Sequence, residues 1–122
     1  YDKVLQLTGG QFPQAAKLDC YVITRQEGND VNGISFYNGD LEELISRLKR
    51  KEGKNIYCDG GGEIVTLLMK KDLIDEYIVS VVPIVLGGGK RLFSADTPRI
   101  HLTSQPPRYF ETGLVQLHYH RP

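Results

Sequence analysis

The sequence predicts an α/β domain, because short β-branched and aromatic runs alternate with amphipathic helical segments along the chain. Two of the predicted strands are followed by triple-glycine turns, at 60–62 and 87–89, and the last third of the chain has antiparallel strand signals. With 122 residues the chain holds one domain at most, which is large enough for a hydrophobic core. We therefore interpret 1–122 as a single domain.

The first half of the chain is predicted to contain two strands and a helix. The run over 20–24 indicates a strand buried on both faces, and 34–37 indicates a second, shorter strand. Asp40 is the expected N-cap of a helix over 41–52 that stops at Gly53. The apolar stripe of that helix is Leu41, Leu44, Ile45 and Leu48. The flanking segments are predicted as helical turns over 1–8, a loop over 11–17 and a turn over 27–30.

The second half begins with a predicted strand over 55–59, the first glycine turn and a helix over 62–71. The buried stripe of this helix is expected to be Ile64, Leu67, Leu68 and the stem of Lys71. A strand over 77–82 follows, and Pro83 limits how far it can pair. The remaining predicted strands cover 100–104, 108–110 and 114–119, with a hairpin turn at 111–113.

Composition and charge narrow the function classes. The formal net charge is zero, so the chain lacks the electrostatic footprint expected of a protein that binds nucleic acid or an anionic membrane. No apolar run approaches the length of a membrane span. Cys20 and Cys58 lie in apolar runs and are interpreted as buried free thiols of a cytoplasmic protein. His118 and His120 share a strand face, but no third ligand is evident, so we predict edge-strand histidines and no metal site.

The first glycine turn is the strongest candidate for a binding site. A strand, three glycines and a helix start in succession would let a ligand approach the backbone closely and meet the positive end of the helix dipole, as phosphate groups do. The spacing matches neither common nucleotide-binding glycine motif, so a tight connection that binds nothing is an equal alternative. The second glycine loop allows the same two interpretations. If the preceding strands are neighbours, both loops line one crevice.

Three motifs together resemble one family. They are Asp59-Gly60-Gly61-Gly62-Glu63, Leu73-Ile74-Asp75-Glu76-Tyr77 and the run from Val82 to Phe93. The chain resembles the dihydrofolate-reductase-like family that includes the reductase domain of bacterial riboflavin biosynthesis. The run Tyr21–Arg25 and the ending Gly113–Tyr119 are similar to the same family. The resemblance implies a three-layer α/β fold with a central mixed sheet flanked by helices.

The resemblance also implies a nicotinamide cofactor, NADPH, and an oxidoreductase that passes a hydride to a small heterocycle of the pterin or riboflavin-precursor pyrimidine type. By the same resemblance, Thr24 and Arg25 would lie by the adenosine 2′-phosphate, and Leu86 and Gly87 on the substrate side. The residues expected at the cofactor pyrophosphate are Gly60, Gly61, Gly62, Glu63 and Ile64. The catalytic acid stays unidentified. A non-catalytic nucleotide-binding or assembly module on the same fold is the alternative function.

The chain departs from the family in its first part, because members begin with a further segment that includes two strands of the sheet. We therefore expect a longer polypeptide, or a second chain, to complete the sheet, since strands at 20–24, 55–59 and 77–82 would otherwise lack neighbours. A homodimer is also expected, with apolar and aromatic residues of the C-terminal strands at the interface, and burial of those residues within the chain's own sheet is an equal alternative. Those residues are Tyr109, Phe110, Leu114, Leu117 and Tyr119. Intact mass spectrometry with light scattering would distinguish these assemblies.

Overall fold

The computed structural model describes residues 18–25, 34–59 and 61–122. The predictions for 1–8, 11–17 and 27–30, and the site residue Gly60, lie outside the described residues. The chain divides into two compact units, Tyr1–Arg47 and Leu48–Pro122. Each unit is described by itself below.

The described part of the first unit contains a parallel pair of strands and most of a helix. β1 (Cys20–Ile23) pairs with β2 (Ile34–Tyr37), and Thr24 extends the pairing by donating its N–H to the carbonyl of Tyr37 at 2.9 Å. Both strands are confirmed. The four residues of β1 are half-buried instead of fully buried, which corrects the prediction of burial on both faces.

Helix α1 (Leu41–Arg50) begins where its cap predicts. Asp40 Oδ1 accepts the N–H of Glu42 at 2.9 Å, which satisfies one of the amides that a helix start leaves unpaired. Leu44 and Ile45 are buried, as the apolar stripe predicts. The helix ends at Arg50, before Gly53, so the predicted stop is too late.

The second unit is built on a three-stranded antiparallel sheet in the order β3-β5-β4. Its strands are β3 (Glu76–Val81), β4 (Thr103–Tyr109) and β5 (Val115–His120). The predicted hairpin at 111–113 is confirmed: Phe110 N–H donates to the carbonyl of Leu114, and Gly113 supplies a positive φ of 88°. The described strands therefore include both pairing types of a mixed sheet, in two separate sheets.

Three details of this sheet differ from expectation. The strand predicted over 100–104 begins at Thr103 and continues to Tyr109, through a register shift between Gln105 and Arg108 where two prolines lie. Prolines are tolerated there because β4 is an edge strand and the shift removes the ladder bonds that they could not donate. His118 and His120 lie on the central strand β5, not on an edge.

The segment 55–59, predicted to be a strand, is not one. Ile56 is 45% exposed and Tyr57 78% exposed, and no described strand pairs with the segment. A β-branched and aromatic run needs a hydrogen-bonded neighbour to become a strand, and this run has none among the described residues. By contrast, β1 pairs with β2 and β3 pairs with β5. The expectation that the strands at 20–24 and 77–82 would have no neighbours is therefore wrong for one edge of each strand.

Helix α2 (Gly62–Lys70) packs on the sheet of the second unit, and the prediction of its buried face is only partly right, since Leu68 is buried as predicted but Val65 and Met69 are buried as well. Val65 and Met69 form a core cluster with Tyr77. Partly buried residues around this cluster are Ile74, Ile100, Leu102 and Tyr119. Leu67, predicted to be buried, is 43% exposed. The apolar residues spread beyond one narrow stripe of this helix, so periodicity identifies the buried face only in part.

A charged network fastens the end of the chain to the turn after α2. Arg121 donates to Asp72 Oδ2 at 2.8 Å and also to Asp75, while Lys49 Nζ lies 2.8 Å from the other Asp75 oxygen. The hydrogen bond from Lys49, with that from Arg121, holds the pKa of Asp75 below its ordinary value of 3.8 against the opposing effect of burial. The ionised form of Asp75 is therefore favoured by folding.

We expect Asp75→Asn to lower the free energy of unfolding by about 0.5–1 kcal/mol at pH 7, the scale of solvent-screened surface pairs. Since the folded-state pKa is lowered, this contribution is complete above the ordinary carboxyl pKa and is lost as pH falls through the lowered value. Urea unfolding of both proteins from pH 7 down to pH 3 measures it. Glu111→Gln, in the exposed hairpin turn, is the control. A difference that is constant over this pH range would contradict the expectation.

Candidate functional site

The first turn of α2 has an uncapped start. Gly61 precedes it in an extended conformation (φ −76°, ψ −169°), and no side chain caps the helix there. The first helical hydrogen bond runs from Val65 N–H to the Gly61 carbonyl at 3.1 Å. The amides of Gly62 and Ile64 precede this first hydrogen bond and therefore have no acceptor within the helix, and the positive end of the helix dipole lies at the same place. Such a helix start can bind an anion.

The two described glycines of this turn have different surroundings. A β-carbon built on Gly61 would have nothing within 4 Å, so the backbone there is open to an approaching group. A β-carbon built on Gly62 would lie 2.9 Å from the carbonyl oxygen of Arg91 and 3.2 Å from that of Leu92. Gly62 is therefore required for close contact with another part of the chain, while Gly61 leaves space for a ligand.

The second glycine loop is also built on special backbone geometry. Gly87 and Gly89 have φ values of +76° and +134°, which side chains strongly disfavour. The apolar residues before this loop are exposed, with Val85 at 99% and Leu86 at 79%. The loop therefore combines a backbone that only glycine adopts readily with apolar side chains facing solvent.

The structure brings the start of α2 to the segment that follows the second glycine turn. The contact is between Gly62 and the carbonyls of Arg91 and Leu92, just after the second loop. Thr24 and Arg25, predicted to lie by the adenosine 2′-phosphate, follow β1 in the first unit. Glu63 and Ile64 belong to the first turn of α2, and Leu86 lies in the exposed approach to Gly87.

Sequence reasoning missed a polar stripe on α2, formed by Gly62, Thr66 and Lys70 at intervals of four residues. Thr66 is only 6% exposed, and its Oγ1 donates to the Gly62 carbonyl at 2.8 Å. The same oxygen lies 3.0 Å from Ser94 Oγ and 3.4 Å from Thr97 Oγ1, and Lys70 Nζ lies 3.3 Å from Asp96. A lone threonine inside an apolar helical run was the available signal.

Tyr57 and Cys58, which precede the first glycine turn in the sequence, have exposed side chains. The neighbouring Asp59 carboxylate, followed by partial burial, raises the pKa of Tyr57, whose hydroxyl donates to Asp59 Oδ1 at 3.4 Å. Cys58 is exposed and Cys20 half-buried, and both are free, so the prediction of two buried thiols is wrong. The cause for Cys58 is that the run around it is not a paired strand.

The described residues contain no group of three or more His, Cys, Asp or Glu side chains that could hold a metal ion. His118 instead pairs with Glu76 across the sheet. Neither described helix has the length and apolar character needed to cross a membrane.

Comparison of the chain with known proteins identifies its family and two similar proteins. A family model described as the RibD C-terminal domain matches residues 12–115. The uncharacterized protein YwjB of Bacillus subtilis (strain 168) is 38% identical over 122 residues, which cover 99% of this chain and 68% of YwjB. The uncharacterized protein YyaP of the same organism is 37% identical over 100 residues, 82% of this chain. The chain spans about half of YyaP, 53% of its length.

A solved structure has the same fold. It is that of a Shewanella sp. PV-4 protein whose name provisionally assigns it to riboflavin biosynthesis. The TM-score is 0.80 at 24% identity, and the match covers 99% of this chain and 70% of the other. The predicted dihydrofolate-reductase-like α/β fold is confirmed.

We expect Gly62→Ala to destabilise the protein by about 1–3 kcal/mol, the usual cost of forcing an extra group into a filled site. Backbone carbonyls meet the new β-carbon, and they cannot rotate away as a side chain would. Gly61→Asn is the matched control, because its side chain enters open space and can cap the helix. An Asn in place of Gly at an N-cap changes the free energy of unfolding by only about 0.3 kcal/mol. Urea unfolding measures both. Equal losses in the two variants would show that the contact at Gly62 is not limiting.

Proposed function

The chain belongs to the RibD C-terminal domain family, and from that premise we propose that it is an NADPH-dependent reductase of a small heterocycle. The substrate class we propose is a pterin or a pyrimidine of the riboflavin-precursor type. The observation that carries the proposal is the uncapped start of α2 beside an open glycine, in a chain of this family. NADPH, when bound, would supply the hydride.

The residues of the first turn fit a pyrophosphate group. Gly61 leaves the backbone accessible, and the amides of Gly62 and Ile64 precede the helical hydrogen-bond ladder. A dianionic bridge placed there would accept hydrogen bonds from the backbone and meet the positive helix end. The Glu63 carboxylate, in the same turn, would be oriented away from the phosphates, because like charges repel.

The other site residues have chemistry that suits the remaining parts of cofactor and substrate. The Arg25 guanidinium and the Thr24 hydroxyl are suitable partners for a 2′-phosphate. Leu86 is exposed beside Gly87, and together they offer apolar side-chain surface and bare backbone to a flat ring. Each of these residues would bind its own part of the cofactor or the substrate, and the hydride would pass between the two reactants.

The sharpest test of the pyrophosphate proposal uses one position and two nearly identical side chains. Gly61→Asp and Gly61→Asn both add a favourable N-cap into open space, so both variants should fold at least as stably as the parent protein. Only Asp adds a negative charge. We expect Gly61→Asp to bind NADPH about tenfold more weakly than Gly61→Asn, a difference of ~1.4 kcal/mol.

Fluorescence titration of NADPH measures these affinities, with urea unfolding as the check on folding. The Asp–Asn difference should also shrink in high salt, because it is electrostatic. Equal NADPH affinity in the two variants would remove the pyrophosphate from the start of α2. Assays of the parent protein with candidate heterocycles then separate the two proposed functions. A reductase would oxidise NADPH as it reduces the heterocycle, whereas a non-catalytic nucleotide-binding module would bind NADPH without oxidising it.

A second test addresses the 2′-phosphate, which NADPH has and NADH lacks. We expect Arg25→Ala to weaken NADPH binding about tenfold and NADH binding less than about twofold, because a charge-assisted pair to the phosphate is lost. Arg47→Ala, which removes the same side chain from the exposed face of α1, is the control. Equal losses for both nucleotides on Arg25→Ala would exclude Arg25 from the 2′-phosphate role.

A further inference from the structure

The segment 91–97 is attached to α2 at three points along one face of the helix. The carbonyls of 91 and 92 contact Gly62, the hydroxyls of Ser94 and Thr97 lie by Thr66, and Asp96 pairs with Lys70. The helix residues involved are four positions apart, so they lie on one face. The segment therefore runs along the helix that carries the proposed pyrophosphate site.

The hydrogen bonds at Thr66 have a fixed direction. The Gly62 carbonyl can only accept, so the single Thr66 hydroxyl hydrogen is committed to it at 2.8 Å. Thr66 Oγ1 must then accept from Ser94, 3.0 Å away, and Thr97 donates to Thr66 or to Ser94 at 3.4 Å or 3.5 Å. Each hydroxyl in this chain polarises the next, which strengthens the whole. All the donors thus point toward the first turn of α2.

Burial makes Thr66 the critical member. It is 6% exposed, whereas Ser94 is exposed and can exchange its partner for water. Thr66 also has two roles, because it bonds its own helix at Gly62 and receives the segment that follows the second glycine loop. The Gly62 carbonyl that it holds belongs to the residue against which 91 and 92 pack. Thr66 therefore links the first glycine turn to the segment that follows the second one.

We infer that Thr66 is a positioning residue, which holds segment 91–97 on α2 and so sets the spacing of the two glycine turns around the dinucleotide. This inference rests on the proposed function for its ligand. Thr66 does not touch the nucleotide. It acts through Gly62 on one side and through Ser94 and Thr97 on the other.

The test removes the hydroxyl and keeps the shape. Thr66→Val should weaken NADPH and NADH binding by the same factor, about fivefold, because the pyrophosphate is common to both and one buried hydrogen-bond centre is lost. Thr66→Ser, which keeps the hydroxyl, should restore the affinity. Thr103→Val deletes a hydroxyl from an exposed position on β4 and is the matched control. Ser94→Ala should weaken the binding of both nucleotides equally, but by a smaller factor. This variant replaces Thr66→Val in the test if Thr66→Val does not fold.

A second readout needs no nucleotide. Amide hydrogen exchange of the ligand-free protein should be faster at 91–97 and at the start of α2 in Thr66→Val, and unchanged in Thr103→Val. Unchanged exchange in these segments would overturn the inference, as would unchanged nucleotide affinity in a Thr66→Val protein that is only less stable. If the parent protein binds neither nucleotide, the proposed function fails, and the exchange data alone decide whether Thr66 positions the segment.

Discussion

The close approach at Gly62 is the constraint on which the second unit's candidate site depends. Backbone carbonyls of residues 91 and 92 occupy the volume that a side chain would need, so the start of α2 directly contacts the segment that follows the second glycine loop. No flexible side chain separates them that could adjust its conformation. The start of α2 and segment 91–97 are therefore held together by backbone packing at Gly62 and by the hydroxyl contacts of Thr66.

The elements that local chemistry determines were predictable. Some structures are specified by a few adjacent residues. The β-branched and aromatic run predicts β2, the Asp40 N-cap predicts the start of α1, and the glycine predicts the hairpin turn at Gly113. The run at 55–59 has equally strong strand composition and is not a strand, because pairing depends on residues distant in sequence. The fold class was predictable from several motifs in order, more than from any one of them.

The site was predictable to a smaller extent. The glycine turn identified the start of α2, but three consecutive glycines did not reveal that Gly61 faces open space while Gly62 faces backbone. The face of α2 that packs on the sheet was identified only in part, because the apolar residues spread beyond one narrow stripe of the helix. The meaning of Thr66 appears only once Ser94 and Thr97 are known to lie beside it. Those contacts join residues about a quarter of the chain apart.

The apolar face of α2 contributes to stability, and its polar face contributes to the orientation of the helix. Val65 and Met69 pack against Tyr77 and contribute apolar burial, which is non-directional and tolerates small shifts. Gly62, Thr66 and Lys70 make contacts that depend on direction and distance, and they contribute little apolar area. A helix held only by its apolar face could rotate or slide slightly at little cost. The polar face removes that freedom, so the amides at its start keep one orientation, which a site built from backbone donors requires.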